Sequence, residues 1–366
     1  MRFSISREML LKPLIMAGGV IERKQTLNIL SNIHIKLANN TLALTATDLE
    51  IQMVVTAAVS DYQEGQITIP GRKFLDICKA LPEGETIEFV ADNDRAIIRC
   101  KRSRFTLSTL PAEEFPNIEN IKARVSLTVP QKILKYLIEK TQFAMALQDV
   151  RFYLNGLLLE ISPKLLRTVA TDGHRLAMCE QALDTPAEEI YQVIIPRKGI
   201  LELNRLLEEN DQPLTIDIAS NHLCVNSGEM SFTTKLIDGR FPDYQRVLPQ
   251  GGDKTIVLDN QEFRQALNRA SILSNERYRS VRFILRNDIL KIHANNPEQE
   301  EAEEELAIDY QGEPLDIGFN ASYVLDALGA LDEENVTLNL SDSNSCCLIR
   351  GEKNLACQYV VMPMRL

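Results

Sequence analysis

The sequence repeats itself three times, and this repetition limits the possible fold more than any other feature. The stretch IPGRKFLDICKALPE begins at Ile69, returns as IPRKGILELNRLLEE from Ile195, and returns more faintly as GFNASYVLDALGALDE from Gly318. The dipeptide Thr-Asp occupies residues 47–48 and again residues 171–172, an offset of 172 − 48 = 124 residues. Solenoid and propeller repeats have periods of roughly 20–50 residues. The longer period therefore predicts three tandem copies of one globular fold.

The length of the chain supports this division. A chain of 366 residues exceeds what one hydrophobic core usually supports, and a third of it is close to the commonest domain size of about 100–150 residues. Hydrophobic residues make up 45% and charged residues 25%, which is typical of a globular protein and not of a disordered one. We predict domains at residues 1–124, 125–252 and 253–366.

Each repeat combines helical and strand periodicities, so the predicted class is α+β. Alternating apolar residues at Val125 and beyond lead into an amphipathic helix after Pro130, and equivalent stretches begin at Phe3 and Thr255. Strict alternation around the Asn39-Asn40 dipeptide predicts an antiparallel hairpin. The recurrent Ile-Pro segment starts a second helix. The sequence therefore predicts two helices and several antiparallel strands in each domain.

Several classes of protein are disfavoured by what the sequence lacks. The seven cysteines form no CxxC pair, which is typical of reduced thiols in a cytosolic protein. The N-terminus does not resemble a signal peptide, and no apolar run is long enough to cross a membrane. Neither histidine spacing nor glycine motifs indicate a metal, nucleotide or other cofactor site. We expect a cytoplasmic protein without cofactors.

The charge of the chain gives two opposing indications about nucleic acid. A net charge of −11 argues against DNA binding, because DNA-binding proteins usually carry a basic surface. However, basic side chains recur on the polar faces of equivalent helices, and such sorting can give an acidic protein a basic surface. These side chains are Arg72, Lys73, Lys79, Lys132, Lys135, Lys140, Arg197, Lys198, Arg205, Arg264 and Arg269. For any single helix, a solvated face remains the simpler explanation.

The stretch TDGHR from Thr171 to Arg175 has three possible roles. Asp172 and His174 could form an acid and base pair, but no nucleophile motif accompanies them, so a catalytic role is the least favoured. The rim of a ligand pocket is the favoured role, and a plain hairpin turn is the alternative because Asp-Gly is a common turn dipeptide. The residues alone thus leave three competing interpretations: a protein that binds DNA through its basic helix faces, a hydrolase, or a scaffold without DNA.

Several longer motifs occur along the chain. They are TDLE from Thr47, RFTLSTLP from Arg104, QDVRFYLNG from Gln148, RTVATDGHRL from Arg167, VIIPRKG from Val193, KLIDGRFPDY from Lys235, ANNPEQEEAEE from Ala294 and YVVMPMRL from Tyr359. In these motifs and in their order, the sequence resembles the bacterial DNA polymerase III β subunit family, the replicative sliding clamps.

The resemblance implies an architecture and a function. It implies three clamp domains, each with two helices on an inner face and antiparallel sheets outside, and a head-to-tail homodimer that forms a ring. The ring encircles double-stranded DNA and tethers the replicative DNA polymerase, which gives processivity without catalysis. The clamp loader complex and other proteins with clamp-binding motifs are the remaining partners, and no membrane is involved.

The resemblance also implies three sets of site residues. DNA-contacting positions match Lys24, Arg72, Gln148, Phe152 and Tyr153. A groove for partner peptides matches Leu154, Thr171, Gly173, His174, Arg175, Leu176, Pro242, Arg246, Val247, Val360, Met362, Pro363, Met364 and Arg365. The dimer interface matches Lys73, Arg102, Arg104, Phe105 and Leu107 at one end, and Ile272, Leu273, Glu298, Glu300 and Glu303 at the other.

Overall fold

Helices and antiparallel strands follow the sequence repeat along the chain. The computed structural model describes residues 1–21, 27–92, 94–118, 122–185, 187–249 and 252–365. In the first repeat the helices are α1 (Arg7–Gly18) and α2 (Gly71–Ala80). The strands of that repeat are β1 (Arg2–Ser6), β2 (Asn32–Ala38), β3 (Thr41–Thr47), β4 (Ile51–Ala58), β5 (Asp61–Gln63), β6 (Gly65–Pro70), β7 (Thr86–Asp92), β8 (Arg95–Cys100) and β9 (Ser103–Ser108).

The second and third repeats have the same order of elements. The second contains α3 (Gln131–Thr141), α4 (Arg197–Leu206), β10 (Val125–Pro130), β11 (Gly156–Ser162), β12 (Leu165–Thr171), β13 (Arg175–Ala182), β14 (Tyr191–Pro196), β15 (Pro213–Ile218), β16 (His222–Ser227) and β17 (Met230–Lys235). The third contains α5 (Asn260–Ser271), α6 (Ala321–Ala330), β18 (Lys254–Asp259), β19 (Ser280–Arg286), β20 (Ile289–Asn295), β21 (Glu301–Ala307), β22 (Leu315–Asn320), β23 (Asn335–Leu340), β24 (Cys347–Gly351) and β25 (Cys357–Val361).

The predicted helix starts and hairpins are confirmed. Helix α2 begins directly after Pro70 and α3 directly after Pro130, so each proline ends a strand and precedes the helix. The turn between β2 and β3 places Asn39 and Asn40 at φ 51° and 61°, the left-handed values that a tight hairpin turn requires. Near the C-terminus, the apolar residues of Cys357–Val361 form β25.

The chain divides into two compact units. Unit 1 comprises residues Met1–Lys132 and Leu201–Leu236, and unit 2 comprises Ile133–Ile200 and Ile237–Leu366. The domain boundaries at 124/125 and 252/253 remain predictions. In unit 1, Phe89 stacks on Phe3 with ring centroids 4.8 Å apart, beneath α2. In unit 2, Phe263 of α5 packs against the fully buried Phe283.

One rule of strand pairing describes the sheets of both units. Unit 1 contains a sheet of order β5-β1-β7-β8-β9 and an eight-stranded sheet of order β10-β15-β16-β17-β4-β3-β2-β6. Unit 2 contains an eight-stranded sheet of order β14-β11-β12-β13-β25-β24-β23-β18 and a sheet of order β21-β20-β19-β22. In each eight-stranded sheet, the last strand of one repeat pairs with the strand after the hairpin of the preceding repeat: β17 with β4, and β25 with β13. The equivalent strands β9 and β21 lie at sheet edges.

The two joins share their loop geometry atom by atom. Thr47 Oγ1 donates to the carbonyl of Ile51 over 2.8 Å, and Thr171 Oγ1 donates to the carbonyl of Arg175 over 2.6 Å. Asp48 and Asp172 each accept, through Oδ1, the backbone N–H groups two and three residues later. The threefold repeat therefore extends from the order of strands to individual hydrogen bonds.

One expectation about the cysteines is wrong. The structure pairs Cys179 with Cys357 as a disulfide, whereas the sequence predicted that all thiols are reduced. The two residues lie directly opposite each other on β13 and β25, with Cα atoms 4.1 Å apart. Directly opposed residues of antiparallel strands bring their Cβ atoms close, which sequence spacing cannot reveal across 178 residues.

In the part of the chain that the structure describes, no helix is long and apolar enough to cross a membrane.

The first join contains a strained residue that gives a prediction. Leu49 adopts φ 77°, a left-handed conformation that costs a leucine roughly 1–2 kcal/mol, and its side chain is 40% exposed. Asparagine tolerates this conformation better, so Leu49→Asn is expected to raise the free energy of unfolding by about 0.5–1 kcal/mol. Urea denaturation measures the change. Leu27→Asn is the matched control, because Leu27 is also exposed but has φ −111°; equal effects in both variants would contradict the assignment of strain.

Candidate functional site

A pocket of about 150 Å³ lies in unit 2 where the second repeat joins the third. Its base is one row of side chains across the sheet, in which Leu176 of β13 is opposite Val360 of β25 and Thr171 of β12. Its lining is mainly apolar, and a few polar side chains stand at the rim. The lining residues are Arg151, Tyr153, Leu154, Thr171, Gly173, Arg175, Leu176, Pro242, Tyr244, Val247, Val360 and Met362.

The hairpin loop of residues 171–175 forms one side of this pocket. Asp172 holds the loop through its own backbone contacts, and Gly173 takes φ 88°, where a side chain would be strained. A Cβ atom at Gly173 would also lie 2.9 Å from Nη2 of Arg151. Glycine is therefore favoured here by the backbone conformation, and any larger residue would also displace the end of the Arg151 side chain.

Arg175 connects this loop to its surroundings. Its Nε lies 3.1 Å from Oδ2 of Asp172, and its Nη2 donates to the carbonyl of Phe143 over 2.7 Å. Its guanidinium also pairs with Asp326 of α6 and lies 4.5 Å from the ring centroid of Tyr323. All of its donor groups face protein, so Arg175 holds the pocket edge in place and offers little to a ligand.

A second loop, residues 145–155, lies beside the first and is held by its own polar contacts. The backbone N–H of Asp149 donates to the side chain of Asn155 over 2.8 Å, and Asn155 Nδ2 donates back to the Asp149 carbonyl over 2.7 Å. Arg151 grips Asp149 through Nε and Nη2, at 3.0 Å and 2.9 Å. The hydrogen bonds from Arg151 lower the pKa of Asp149 from 3.8 to about 2.

The opposite wall of the pocket consists of residues 241–248, here called the groove wall. The rings of Phe241 and Tyr244 pack on an apolar row of the sheet. In this row, Leu158, Val169 and Met178 are opposite one another. Tyr244 belongs to this wall and is almost fully buried. Burial raises the pKa of its phenol, so the hydroxyl stays protonated and can donate a hydrogen bond.

The structure assembles much of the predicted peptide groove in one place. Nine of the predicted residues line the pocket: Leu154, Thr171, Gly173, Arg175, Leu176, Pro242, Val247, Val360 and Met362. Five others fall outside its lining: His174, Arg246, Pro363, Met364 and Arg365. Arg246 points toward Asp243 and is largely exposed, while the backbone of Met364 bridges to Gly318.

Sequence reasoning missed two lining residues and assigned a third elsewhere. Arg151 and Tyr244 line the pocket, and Tyr153, predicted as a DNA contact, does so as well. The signal for Arg151 was present, since it stands inside the QDVRFYLNG motif next to a predicted DNA contact. Tyr244 had the same signal, since it ends the KLIDGRFPDY motif beside the predicted Pro242. What the sequence does not show is that Tyr244 contacts Glu160, which lies 84 residues away along the chain.

The pocket does not hold a catalytic arrangement. Asp172 receives the backbone N–H of His174 at its carboxylate, and the same carboxylate is paired with Arg175. The His174 ring is exposed and outside the lining. Among the described residues, no three His, Cys, Asp or Glu side chains cluster as metal ligands. The arrangement suits binding of an extended apolar ligand.

The predicted DNA contacts fall on both units. Gln148, Phe152 and Tyr153 lie on the loop of residues 145–155, where the Phe152 side chain is 73% exposed. Arg72 is exposed in unit 1 and its guanidinium bonds to the carbonyl of Ile21. Lys24 lies outside the described residues. The role of these residues in DNA binding remains a prediction.

The predicted interface residues gather at the two edge strands. Arg104, Phe105 and Leu107 lie on β9 with Arg102 in the preceding turn, and Lys73 is exposed on α2. Glu303 lies on β21 and pairs with Lys291 at 3.2 Å, while Glu298 and Glu300 precede the strand. Ile272 follows α5 and is 74% exposed, beside the half-buried Leu273.

The basic helix faces are less uniform than the sequence predicts. Lys140 is buried and its ammonium bonds to Asp332 over 2.6 Å, so its placement on an exposed face is wrong. Lys132 pairs with Asp211 at 2.6 Å and Arg269 with Glu304 at 2.6 Å. Exposed basic side chains remain on α2, namely Arg72, Lys73 and Lys79.

Repeated helix-and-sheet halves with a mainly apolar pocket are typical of a binding protein. Comparison with known proteins specifies which. Three family models match the chain: the N-terminal domain of the DNA polymerase III beta subunit over residues 1–119, its central domain over residues 128–243, and its C-terminal domain over residues 245–365.

Relatives match over the whole length. The chain is 52% identical to a beta sliding clamp of Pseudomonas aeruginosa and 50% identical to one of Escherichia coli, with 100% of each chain covered. A crystal structure of the DNA polymerase III subunit beta from Pseudomonas aeruginosa superimposes with a TM-score of 0.98 at 51% identity, again over 100% of both chains.

The chain belongs to the DNA polymerase III beta subunit family. Its function is that of a DNA sliding clamp, which is a non-catalytic processivity factor. The expected α+β class with three clamp domains is confirmed. The catalytic interpretation of Asp172 and His174 and the interpretation as a scaffold without DNA are thereby removed.

The contact between Arg151 and Asp149 gives a pH prediction. A carboxyl whose pKa is depressed adds stability above its ordinary pKa of 3.8 and loses that contribution as the pH falls toward 2. In the wild type, the Asp149 carboxyl ¹³C shift should therefore stay constant between pH 5 and pH 3.5. In Arg151→Ala the midpoint should move up toward the ordinary value, because the side-chain hydrogen bonds are lost while the backbone N–H of residue 151 still donates to Asp149. Arg246→Ala, which removes an arginine from Asp243 instead, should leave the Asp149 titration unchanged; identical curves for Arg151→Ala and the wild type would contradict the pairing.

Proposed function

We propose that two copies of this chain close head to tail into a ring that encircles double-stranded DNA in the cytoplasm. The observation that carries this proposal is the rule of strand pairing. Within the chain, the last strand of a repeat pairs with the strand after the preceding hairpin, as β17 does with β4 and β25 with β13. Among the described residues, strands β9 and β21 are the equivalents of these joining strands whose outer edges have no paired strand. In the proposed ring, a second copy supplies each of them with its partner.

The register of the internal joins predicts specific contacts across this interface. Val54 is opposite Ser231 in the first join, and Met178 is opposite Gln358 in the second. The corresponding positions of the open strands are Glu303 and Arg104. If the open strands pair in the same register, the carboxylate of Glu303 lies opposite the guanidinium of Arg104. Opposite charges directly across two antiparallel strands are favourable.

Apolar surface beside these strands supports the same arrangement. Ile272 is 74% exposed, and the apolar Phe105 and Leu107 of β9 are only half-buried. The corresponding side chains of the internal joins, Phe232 and Tyr359, are fully buried. Exposed apolar groups next to an unpaired strand edge are typical of an interface.

Encirclement is consistent with the number and size of the helices. Each repeat has two α-helices among the described residues, so six repeats would place twelve around the ring. At axis spacings of about 10 Å these helices span a circle of roughly 38 Å diameter. Subtracting a helix thickness of about 10 Å leaves roughly 28 Å, enough for duplex DNA. A ring that is linked to DNA topologically needs no tight binding, so diffuse contacts to the DNA phosphate backbone are sufficient. The residues that would make them are Lys24, Arg72, Gln148, Phe152 and Tyr153.

The pocket of unit 2 is the attachment site for partners. Short peptides of the replicative DNA polymerase, the clamp loader complex and other proteins with clamp-binding motifs would place apolar side chains against Leu176, Val247 and Val360. A polymerase tethered there stays at a high effective concentration beside its DNA, which gives processivity without any reaction at the clamp itself.

Charge reversal tests the ring. Arg104→Glu places like charges opposite Glu303 and is expected to convert the dimer to monomers by sedimentation analysis at micromolar concentration. Arg104→Glu with Glu303→Arg restores the opposite charges and should restore the dimer. The matched control is Arg286→Glu, a reversal on β19 away from the open edges. A dimeric Arg104→Glu variant would exclude this register.

The same variants test encirclement. Wild type and the double reversal, loaded by a clamp loader onto nicked circular DNA, should remain on the circle through gel filtration and leave it when a restriction enzyme linearises the DNA. Arg104→Glu should not be retained. Protein that stays on linear DNA with free ends would show that binding is not topological.

A charge in the pocket tests peptide attachment. Val247→Asp places a carboxylate against the apolar lining and should weaken binding of a fluorescent clamp-binding-motif peptide more than about tenfold, because burying an unpaired charge is costly. Fluorescence anisotropy measures the affinity. Ile190→Asp, on an exposed apolar residue outside the lining, is the control and should bind as the wild type does. Equal affinity for both variants would place the peptide elsewhere.

A further inference from the structure

We propose that Arg167 and Glu160 are positioning residues of the peptide groove, and that they act by holding the hydroxyl of Tyr244. This inference rests on the proposed attachment of peptides to the pocket of unit 2. Neither charged residue lines that pocket. Tyr244 does, and it is the residue through which the two charges reach the groove wall.

The argument begins with a polar row across the sheet. Glu160 of β11 is opposite Arg167 of β12, which is opposite Glu180 of β13. Arg167 Nη1 donates to Oε1 of Glu160 over 2.6 Å, and Nε donates to Oε2 of Glu180 over 2.8 Å. Gln192 of β14 completes the row by donating to Oε2 of Glu160 over 2.6 Å. A carboxylate as buried as Glu160 needs such partners, because an unpaired buried charge is strongly unfavourable.

The Tyr244 hydroxyl is built into this row. It accepts from Nη1 of Arg167 over 2.8 Å and donates to Oε2 of Glu160 over 3.1 Å. Both of its hydrogen-bonding roles are therefore taken by charged groups, and hydrogen bonds to charged groups are the stronger ones. The hydroxyl is thus held by side chains of the sheet, and Tyr244 is at the same time a lining residue of the pocket. Because both hydrogen-bonding roles of the hydroxyl are occupied, we expect a bound peptide to meet the ring.

Three parallel rows of the sheet explain what this contact controls. The first row, with Leu176 and Val360, is the base of the pocket. The second, with Val169 and Met178, carries the rings of the groove wall. The third is the polar row, which fixes where the end of Tyr244 lies. The hydroxyl therefore sets how far the wall stands from the sheet.

The backbone of the wall transmits this position to the residues that meet the peptide. The carbonyl of Tyr244 accepts the N–H groups of Val247 and Leu248, over 3.0 Å and 3.3 Å. Tyr244 begins a single 3₁₀ turn that ends at Arg246. A shift of Tyr244 consequently moves Val247 and the width of the groove. A groove held open in advance binds its peptide without first ordering the wall, which increases affinity.

Tyr244→Phe is the direct test. It removes the hydroxyl but leaves the ring and the ion pair between Arg167 and Glu160. We expect the peptide affinity, measured by fluorescence anisotropy, to fall about tenfold, equivalent to about 1.4 kcal/mol. Tyr310→Phe is the matched control, because it removes another buried hydroxyl of unit 2, one that donates to the carbonyl of Glu313 over 2.8 Å. It should lower the unfolding temperature comparably and leave the affinity unchanged.

A double-mutant cycle shows whether Arg167 acts through Tyr244. Arg167→Lys keeps the charge but loses the fork that reaches Glu160, Glu180 and the hydroxyl together. It should weaken peptide binding about as much as Tyr244→Phe does, and the double variant should bind no more weakly than either single variant. Additive losses, or an unchanged affinity in Tyr244→Phe, would overturn the proposal.

The outcomes separate this proposal from the one beneath it. If the wild type binds the peptide and Val247→Asp does not, the groove is the attachment site. An unaffected Tyr244→Phe then refutes only the positioning role. If the wild type fails to bind, or Val247→Asp binds normally, the attachment site itself is wrong and the positioning role with it.

Discussion

The pairing of strands between successive repeats is the constraint on which the rest of the structure depends. Each repeat has two halves of antiparallel strands. Both halves of the second repeat, and one half of each outer repeat, become part of an eight-stranded sheet only by pairing with a neighbouring repeat. Fully buried side chains such as Phe232 and Tyr359 lie on the strands that make these joins. The joins therefore bury apolar surface that a single repeat would leave in water, which is the dominant favourable contribution to folding. The same requirement supports the proposal that a second chain pairs with the outermost strands, β9 and β21.

The two internal joins have the same backbone but different surfaces, and this difference explains where the pocket lies. Where the second join has Leu176 and Val360, the first has Gln52 and Thr233 in the same register. Where the second has Gly173, the first has Leu49, in the same left-handed conformation. In the first join, the polar Gln52 and Thr233 therefore stand where the second join has the apolar base of its pocket. Leu49 occupies the position that Gly173 leaves without a side chain. Divergence of a few side chains on a repeated backbone thus confines the apolar pocket, the proposed site of peptide attachment, to one join.

The sequence predicted the features that depend on local patterns. Alternation around Asn39-Asn40 and the apolar spacing after Pro130 are such patterns, and the strands and helices there agree with the prediction. Strand β21 could not be predicted in this way. Its sequence EAEEELA is poor in strand-forming residues, and it becomes a strand because pairing with β20 in the register of Glu305 with Lys291 overrides that preference.

The limits were similar at the site. The family motifs indicated most of the pocket lining, but the contact of Tyr244 with Arg167 and Glu160 joins segments 77 and 84 residues apart. Neither the burial of Lys140 against Asp332 nor the disulfide between Cys179 and Cys357 follows from spacing along the chain. These contacts depend on which strands are neighbours, and only the sheet topology supplies that information.

The two open strands also carry charges that decide what can pair with them. An exposed strand edge is a general template for association, including association with its own copy. Strand β21 has glutamates at alternate positions from Glu301 to Glu305, so two such strands would place like charges together. Strand β9 begins beside Arg102 and carries Arg104, so pairing with its own copy is opposed in the same way. Only the pairing of β9 with β21 brings opposite charges together. The proposed interface is therefore heterologous, with unlike surfaces in contact, and a heterologous contact closes into a ring when the rotation between copies permits it. Charge that disfavours each strand edge for itself and favours it for the other thus supports the proposed arrangement, in which both edges are paired.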